Sequence, residues 1–308
     1  MNLAEEIKAL CKQKNAVIMA HYYTRPEIQE VADFIGDSLA LAQQASKTDA
    51  DIIIMCGVHF MGETAKIICP DKKVLVPDLS AGCSLADSCK ADDLKAYKEA
   101  HSDYMVVSYV NTTAAVKALT DIVVTSSNAK KVIDQLPQDA KIIFGPDHNL
   151  GSYINSITGR NMLLWDGCCH VHSRFSLAGL RRLKQQYPSA PVLAHPECKK
   201  EILDEANVVG STAALLNYAK SHEEKEFLVV TETGILHEMQ KACPDKHFIP
   251  VPADIEGKQT CNECEYMRLN TLEKLYQCIK NEQPEILVDA KIAEKAILPI
   301  QRMLEMSK

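Results

Sequence analysis

Short apolar runs alternate with amphipathic, helix-like stretches along the whole chain. Eleven runs stand out: AVIMA, DIIIMCGV, KVLVPD, YMVVSYV, DIVVTSS, KIIFGPD, MLLWDG, PVLAHP, NVVGST, EFLVVTE and HFIPVP. They are short, rich in Val and Ile, and lack strict alternation, the signature of strands buried on both faces. Helical patterns between such strands imply right-handed crossovers and parallel sheets, so the expected class is α/β.

The pattern also repeats. VIMAHYYTRPEIQEVADFIGDSLALA, MVVSYVNTTAAVKALTDIVVTSSNAKKV and PVLAHPECKKEILDEANVVGSTAALLNYA share one plan: an apolar strand ending in His or Tyr, a short connection, then a polar tip that opens a helix. Alignment pairs His21, Tyr109 and His195, and pairs Ser38, Ser126 and Thr212, at steps of 88 and 86. A cysteine follows each unit, Cys83, Cys169 and Cys264, at steps of 86 and 95. A repeated unit of this size suggests homologous three-layer α/β/α domains around a pseudo-threefold axis, at 1–84, 85–170 and 171–264. The tail, 265–308, is helical by periodicity and is expected to pack back on the first domain. No low-complexity linker separates the units, which should be tightly apposed.

Strand ends are where open α/β sheets bind ligands. Here they carry His21-Tyr22-Tyr23, Tyr109-Val110-Asn111, Thr125-Ser126, His195-Pro196-Glu197, Gly210-Ser211-Thr212 and Thr231-Glu232-Thr233-Gly234. Hydroxyl residues at helix starts cap the helix, and the same free N–H groups can hold carboxylates or phosphates. Any one tip reads as a plain cap. Equivalent tips in three repeats point to a small, multiply anionic substrate.

Composition narrows the picture. Hydrophobic residues make up 46% and charged residues 24%, ordinary for a globular chain with a core. The net charge of −7, without a basic run, disfavours nucleic acid and anionic membranes. No apolar stretch approaches a membrane span, and the acidic, amphipathic start MNLAEEIKALCKQ does not read as a signal peptide. Twelve cysteines without an export signal then suggest the cytosol, with free thiols. Cys11, Cys56, Cys69, Cys198, Cys243 and Cys278 read as small buried hydrophobes.

The cysteines after the repeats lie in different surroundings: Cys83 in VPDLSAGCSLADSC, Cys169 in LLWDGCCHVHSRF and Cys264 in ADIEGKQTCNECEYM, which contains a C-x-x-C. Three thiolates converging on the axis would form a metal site with an open position. Zinc, with His170 or His172 as a further ligand, and an iron–sulfur cluster both fit these residue types.

The stretches AHYYTRPEIQEVADFIGDSLALA, PDLSAGCSLADSC, SYVNTTAAVKA, TSSNA, CHVHSRF, HPEC, GST and CNECEYMRLNTLEKLY resemble the quinolinate synthase family, iron–sulfur enzymes of de novo NAD biosynthesis. The resemblance runs from about residue 20 to 277. It implies a 4Fe–4S cluster with one open iron, held by Cys83, Cys169 and Cys264. The frame C-x-V-H-x-x-F selects Cys169 over Cys168, and C-x-Y-M-x-x-N selects Cys264 over Cys261. The implied reaction joins iminoaspartate to dihydroxyacetone phosphate, releasing phosphate and two waters and closing the ring of quinolinate. Glu197 would be the general base, with His21 and Tyr23 donating or relaying protons. Tyr109 and Asn111 would orient substrate, while Ser38, Ser126, Ser211 and Thr212 would meet carboxylate or phosphate oxygens. His172 and His195 would add donors. An aspartate-oxidising enzyme is the implied supplier of iminoaspartate. Two other readings use the same residues: a reductase or radical enzyme of the pseudo-threefold iron–sulfur type, which would need electrons, and a non-catalytic anion-binding protein with structural zinc, which would be colourless.

Overall fold

The structure, a computed structural model, describes residues 2–308. Three four-stranded sheets organise it. The first contains β1 (Ala16–His21), β2 (Phe34–Gly36), β3 (Ile52–Cys56) and β4 (Lys73–Leu75). The second contains β5 (Met105–Tyr109), β6 (Ile122–Val124), β7 (Ile142–Gly145) and β8 (Leu163–Leu164), and the third β9 (Val192–Ala194), β10 (Val208–Val209), β11 (Glu226–Val230) and β12 (His247–Pro250). Each sheet runs in the order second, first, third, fourth, and all its pairings are parallel. Register repeats too, since Met19 pairs with Met55, Val107 with Phe144 and Leu193 with Val229. The fold is therefore α/β, one winding used three times with helices flanking each sheet.

All eleven expected strands form. The twelfth, β2, is only three residues long, in ADFIGDS, too short to register as an apolar run. The repeat held the missing signal, because Phe34–Gly36 stands before Ser38 as Ile122–Val124 stands before Ser126. A small antiparallel hairpin, β13 (Ala253–Ile255) and β14 (Lys258–Thr260), was also not foreseen. Its second strand, KQT, is wholly exposed and carries no apolar pattern.

Burial accounts for the tight apposition of the units. One continuous apolar core runs from the first sheet into the second and includes Met19, Met55 and Phe60 with Val107, Tyr109 and Phe144. The third sheet is covered on its two faces by separate clusters around Leu228 and Phe227. The tail divides. Helix Leu272–Asn281 buries Leu275, Cys278 and Ile279 beside Ile7 and Cys11 of helix Leu3–Gln13, in the first unit. Helix Ala290–Met306 instead crosses to β6 and to helices His59–Ile68 and Ala114–Lys117, so it covers both first and second units. Its buried face, Ala296, Ile300 and Met303, belongs to the core those two units share. No helix among the described residues is long and apolar enough to cross a membrane.

Candidate active site

The tips of β1, β5 and β9 meet in one cavity of about 710 Å³ of space between atoms, its mouth included. His21, Tyr109 and His195 stand at the strand ends. Two residues further on, at the same steps of 88 and 86, stand Tyr23, Asn111 and Glu197, and all six line the cavity. Three equivalent turns thus supply a phenol, an amide and a carboxylate to one space.

The histidines are set by burial. The Tyr23 N–H donates to His21 Nδ1 at 3.2 Å and the Glu197 N–H to His195 Nδ1 at 3.4 Å. An accepting Nδ1 leaves the proton of the neutral ring on Nε2. Burial pulls His21 down to about 4 and His195 to about 3, against the pull of nearby carboxylates, so both rings stay neutral near pH 7. His195 Nε2 lies 3.2 Å from the Ser126 hydroxyl, and its ring stacks on His172 at 4.6 Å.

Glu197 is 3% exposed. Burial pushes its carboxyl up, but the neighbouring His172 and His195 and hydrogen bonds from His172 and Tyr109 outweigh this and hold it below the usual carboxylate range. His172 Nδ1 is 2.9 Å from Oε2, and the Tyr109 hydroxyl donates to Oε1 at 2.5 Å. Tyr23 Oη lies 2.7 Å from both Thr212 Oγ1 and Thr231 Oγ1, and burial raises its phenol well above the ordinary value. The result is a Glu197 carboxylate held ionised between His172 and the Tyr109 hydroxyl.

Cys83, Cys169 and Cys264 line the same cavity. Cys83 immediately precedes the short helical turn Ser84–Asp87, and Cys169 and Cys264 each stand three residues before one, His172–Arg174 and Met267–Leu269. Burial pushes the Cys83 thiol up to about 12 and the Cys264 thiol to about 11, and raises Cys169 strongly. Backbone N–H groups of Ala86 and Leu85, of His172, and of Met267 and Tyr266 act the other way on the three sulfurs in turn. Buried thiols facing N–H groups suit ligation, where a metal supplies the positive charge. A single zinc ion would draw thiolate sulfurs to within about 4 Å of one another. Among the described residues, Cys169, His172 and Glu197 form the one such set gathered within 4.8 Å, and it does not include the other two cysteines. Three sulfurs spread around a cavity fit a larger group, such as a cluster, better than a single ion.

The chain matches the quinolinate synthetase A protein family over residues 5–305. It is 54% identical over 308 residues to the quinolinate synthase of Chloroherpeton thalassium, covering 100% of this chain and 95% of that protein. To the quinolinate synthase of Nostoc punctiforme it is 55% identical over 307 residues, covering 100% and 94%, and to that of Synechocystis 55% over 306 residues, covering 99% and 96%. The chain belongs to the quinolinate synthase family. It is an enzyme of that type, built for the chemistry of NAD biosynthesis.

Of the fourteen residues singled out from sequence, thirteen line the cavity: His21, Tyr23, Ser38, Tyr109, Asn111, Ser126, His172, His195, Glu197, Thr212 and the three cysteines. Ser211 does not. Its hydroxyl accepts from the Ala214 N–H at 3.3 Å and caps helix Thr212–Ser221, so the cap reading describes it. Cys168 and Cys261 are exposed, and Cys89 is buried in another part of the core. The six cysteines read as hydrophobes are all buried.

Two carboxylates stand behind the cysteines: sequence reasoning missed Asp147, and named Glu232 only as part of a strand-end tip without this role. Asp147 Oδ2 accepts the Cys169 N–H at 3.2 Å, and Glu232 Oε1 accepts the Cys264 N–H at 3.1 Å and an Arg268 bond at 3.1 Å. Both are fully buried, and burial raises Glu232 to about 7. They follow the third strand of their units at equivalent places, three residues after Phe144 and Val229. Val58 holds that place in the first unit. Only the repeat signals the two as a pair, since the run KIIFGPD and the tip TETG, taken separately, point to no cysteine.

Proposed function

We propose that this protein condenses iminoaspartate with dihydroxyacetone phosphate, releasing phosphate and two waters and closing the pyridine ring of quinolinate. The observation that supports this most directly is the convergence of one cysteine from each repeat on the cavity that holds Glu197 and the neutral histidines. Cys83, Cys169 and Cys264 would hold a 4Fe–4S cluster. Bound there, the cluster would supply an iron with an open position, a Lewis acid for substrate oxygens.

The other steps fall to the side chains. Glu197, ionised and buried, removes a proton from carbon next to a carbonyl or imine. His21, through its Nε2–H, and Tyr23, through its phenol, give protons to hydroxyl or carbonyl oxygens as water or phosphate departs. Tyr109 fixes the Glu197 carboxylate and, with Asn111, orients the substrate. Ser38, Ser126 and Thr212 face the cavity where carboxylate and phosphate oxygens would lie, and His172 and His195 add donors. The reaction is redox-neutral and suits the cytosol, where an aspartate-oxidising enzyme would supply the labile imine.

The deciding experiment gives anaerobically prepared, iron- and sulfide-reconstituted protein both substrates, with iminoaspartate freshly generated, and measures quinolinate. Product without added reductant is expected, and it excludes both the reductase and pure binding. Brown, cluster-loaded protein that forms no product would overturn the proposed chemistry. Colourless protein that holds zinc and forms no product would overturn the cofactor as well.

A further inference from the structure

Lys117 has no exposed surface, an unusual place for an ammonium group. It does not line the cavity. Its Nζ donates to Val110 O at 2.8 Å and to Thr112 O at 2.5 Å, the two carbonyls flanking Asn111. The ring of Phe60 lies 5.4 Å from Nζ. A buried charge is costly unless paired and bonded, so the carbonyls and the ring face account for how it is tolerated, but not for why a lysine is used.

The first unit answers that. Subtracting the repeat step of 88 from 117 gives Gln29. Gln29 Nε2 donates to Tyr22 O at 3.0 Å and Thr24 O at 2.8 Å, the two carbonyls flanking Tyr23. The match extends to the threonines, since Thr24 Oγ1 donates to His21 O at 2.8 Å and Thr112 Oγ1 to Tyr109 O at 3.2 Å. Gln29 also donates to Gly234 O at 3.1 Å, yet its own Oε1 is buried without a partner. The position needs donors and gives an acceptor nothing to do. An ammonium, with three donors and no acceptor, meets that need without an orphaned oxygen. In the third unit the same place is Leu203, and Pro196 stands where Tyr22 and Val110 stand. Proline fixes its own φ, so that turn is stiffened from within its backbone.

We propose that Lys117 is a positioning residue: from behind the cavity wall it holds the turn that carries Tyr109 and Asn111, as Gln29 holds the turn that carries His21 and Tyr23. Without it, two buried carbonyls lose their donor and the turn can move. Tyr109 then no longer holds the Glu197 carboxylate, and Asn111 leaves its place on the wall. The inference rests on the reading of this cavity as the quinolinate-forming site.

The test compares wild type, Lys117→Met and Lys117→Gln, each anaerobically reconstituted and matched for iron content. Thermal unfolding, affinity for pyridine-2,3-dicarboxylate by calorimetry, and KM and kcat are measured for each. In Lys117→Met, kcat/KM should fall by about 10²-fold in protein that is fully folded at the assay temperature, as expected when a reacting group is misplaced by about 1 Å. Affinity for the dicarboxylate should weaken at least about 10-fold alongside it. Lys117→Gln, which restores an amide donor, should recover most of both. A purely structural residue would lower the unfolding temperature and leave KM and dicarboxylate affinity unchanged in the folded fraction, and that result would overturn the proposal. If Lys117→Met does not fold, Gln29→Leu tests the same device on the Tyr23 turn, with the same expected loss and the same overturning result. Wild type that makes quinolinate while the variants match it sinks the clamp alone. Wild type that neither binds the dicarboxylate nor makes it sinks the functional reading and the clamp together.

Discussion

The Tyr109 hydroxyl donates to Glu197 Oε1 at 2.5 Å, a bond from the second repeat to the third. Glu197 is also held on its other oxygen by His172 at 2.9 Å. The carboxylate is therefore fixed from two directions by groups on different elements, the end of β5 and the helical turn His172–Arg174. Tyr109→Phe removes one of them without changing the packed ring. A hydrogen bond to a charged group contributes about 1.5–3 kcal/mol, so kcat should fall roughly 10- to 100-fold. Steady-state kinetics of the folded variant checks this, and wild-type kcat would show that His172 alone suffices.

Adjacent cysteines give a sharper contrast. Cys169 lines the cavity and Cys168 is exposed. Cys169→Ala should lose cluster loading, while Cys168→Ala should keep it. Iron content and visible absorbance after reconstitution measure both. Full loading of the Cys169 variant would mean that the second repeat supplies a different ligand.

Most of this site was legible because the repeat multiplied weak signals. His21, Tyr109 and His195 are unremarkable singly, but a common spacing put them on equivalent strand ends, and equivalent strand ends of packed units converge. The same logic extends to β2, to Asp147, to the part Glu232 plays behind Cys264 and to the Gln29–Lys117 pair, which no local pattern singles out. A three-residue strand has too few positions to show a period. Asp147 and Glu232 act on backbone N–H groups 22 and 32 residues further on, a contact with no sequence spacing of its own. Lys117 sits in a helical pattern where a lysine is expected to face solvent, and only tertiary packing reveals that it does not. Ser211 is the opposite case: it caps a helix outside the cavity lining, and a helix cap and an anion site use the same residue types, which the sequence alone did not separate.

The buried histidines should tie stability to pH before the general carboxylate titration sets in. His21 and His195 are held at about 4 and 3 in the fold, against 6.5 for the free side chain. The unfolded chain therefore binds more protons below pH 6.5, and the stability these neutral rings contribute is present above 6.5 and lost as pH falls towards 4. Glu232 works the other way, because burial raises it from 4.5 to about 7, so its contribution is lost as pH rises through that range. Asp147, raised well above its usual value by burial, acts in the same direction as Glu232, so two raised carboxyls oppose two depressed histidines. The histidine share is read by comparison: on going from pH 6.5 to 4, urea unfolding of the metal-free proteins should show the wild type changing less favourably than His195→Gln, by a few kcal/mol in order of magnitude. The same pH dependence in both proteins would place the histidine-linked proton uptake elsewhere.

Gly234 marks a close approach between the first and third repeats. A Cβ built there would lie 2.7 Å from Tyr23 Cα, 2.8 Å from Tyr22 O and 2.8 Å from Glu232 Oε2. The first two are backbone atoms of the Tyr23 turn, which Gln29 fastens further by bonding Gly234 O. No side-chain rotation can relieve such contacts, so Gly234→Ala must push the turn and the β11 tip apart. Overpacking of this kind costs about 1–3 kcal/mol. The displaced tip carries Thr231, which bonds both Tyr23 and His172, so activity should fall along with stability. Gly82→Ala is the control: it also lies on the cavity, but its nearest neighbour would be 3.7 Å away, an ordinary contact. Urea midpoints and quinolinate turnover of the two variants should separate clearly. If Gly234→Ala kept both at wild-type level, the junction of the first and third repeats would be more compliant than its packing implies.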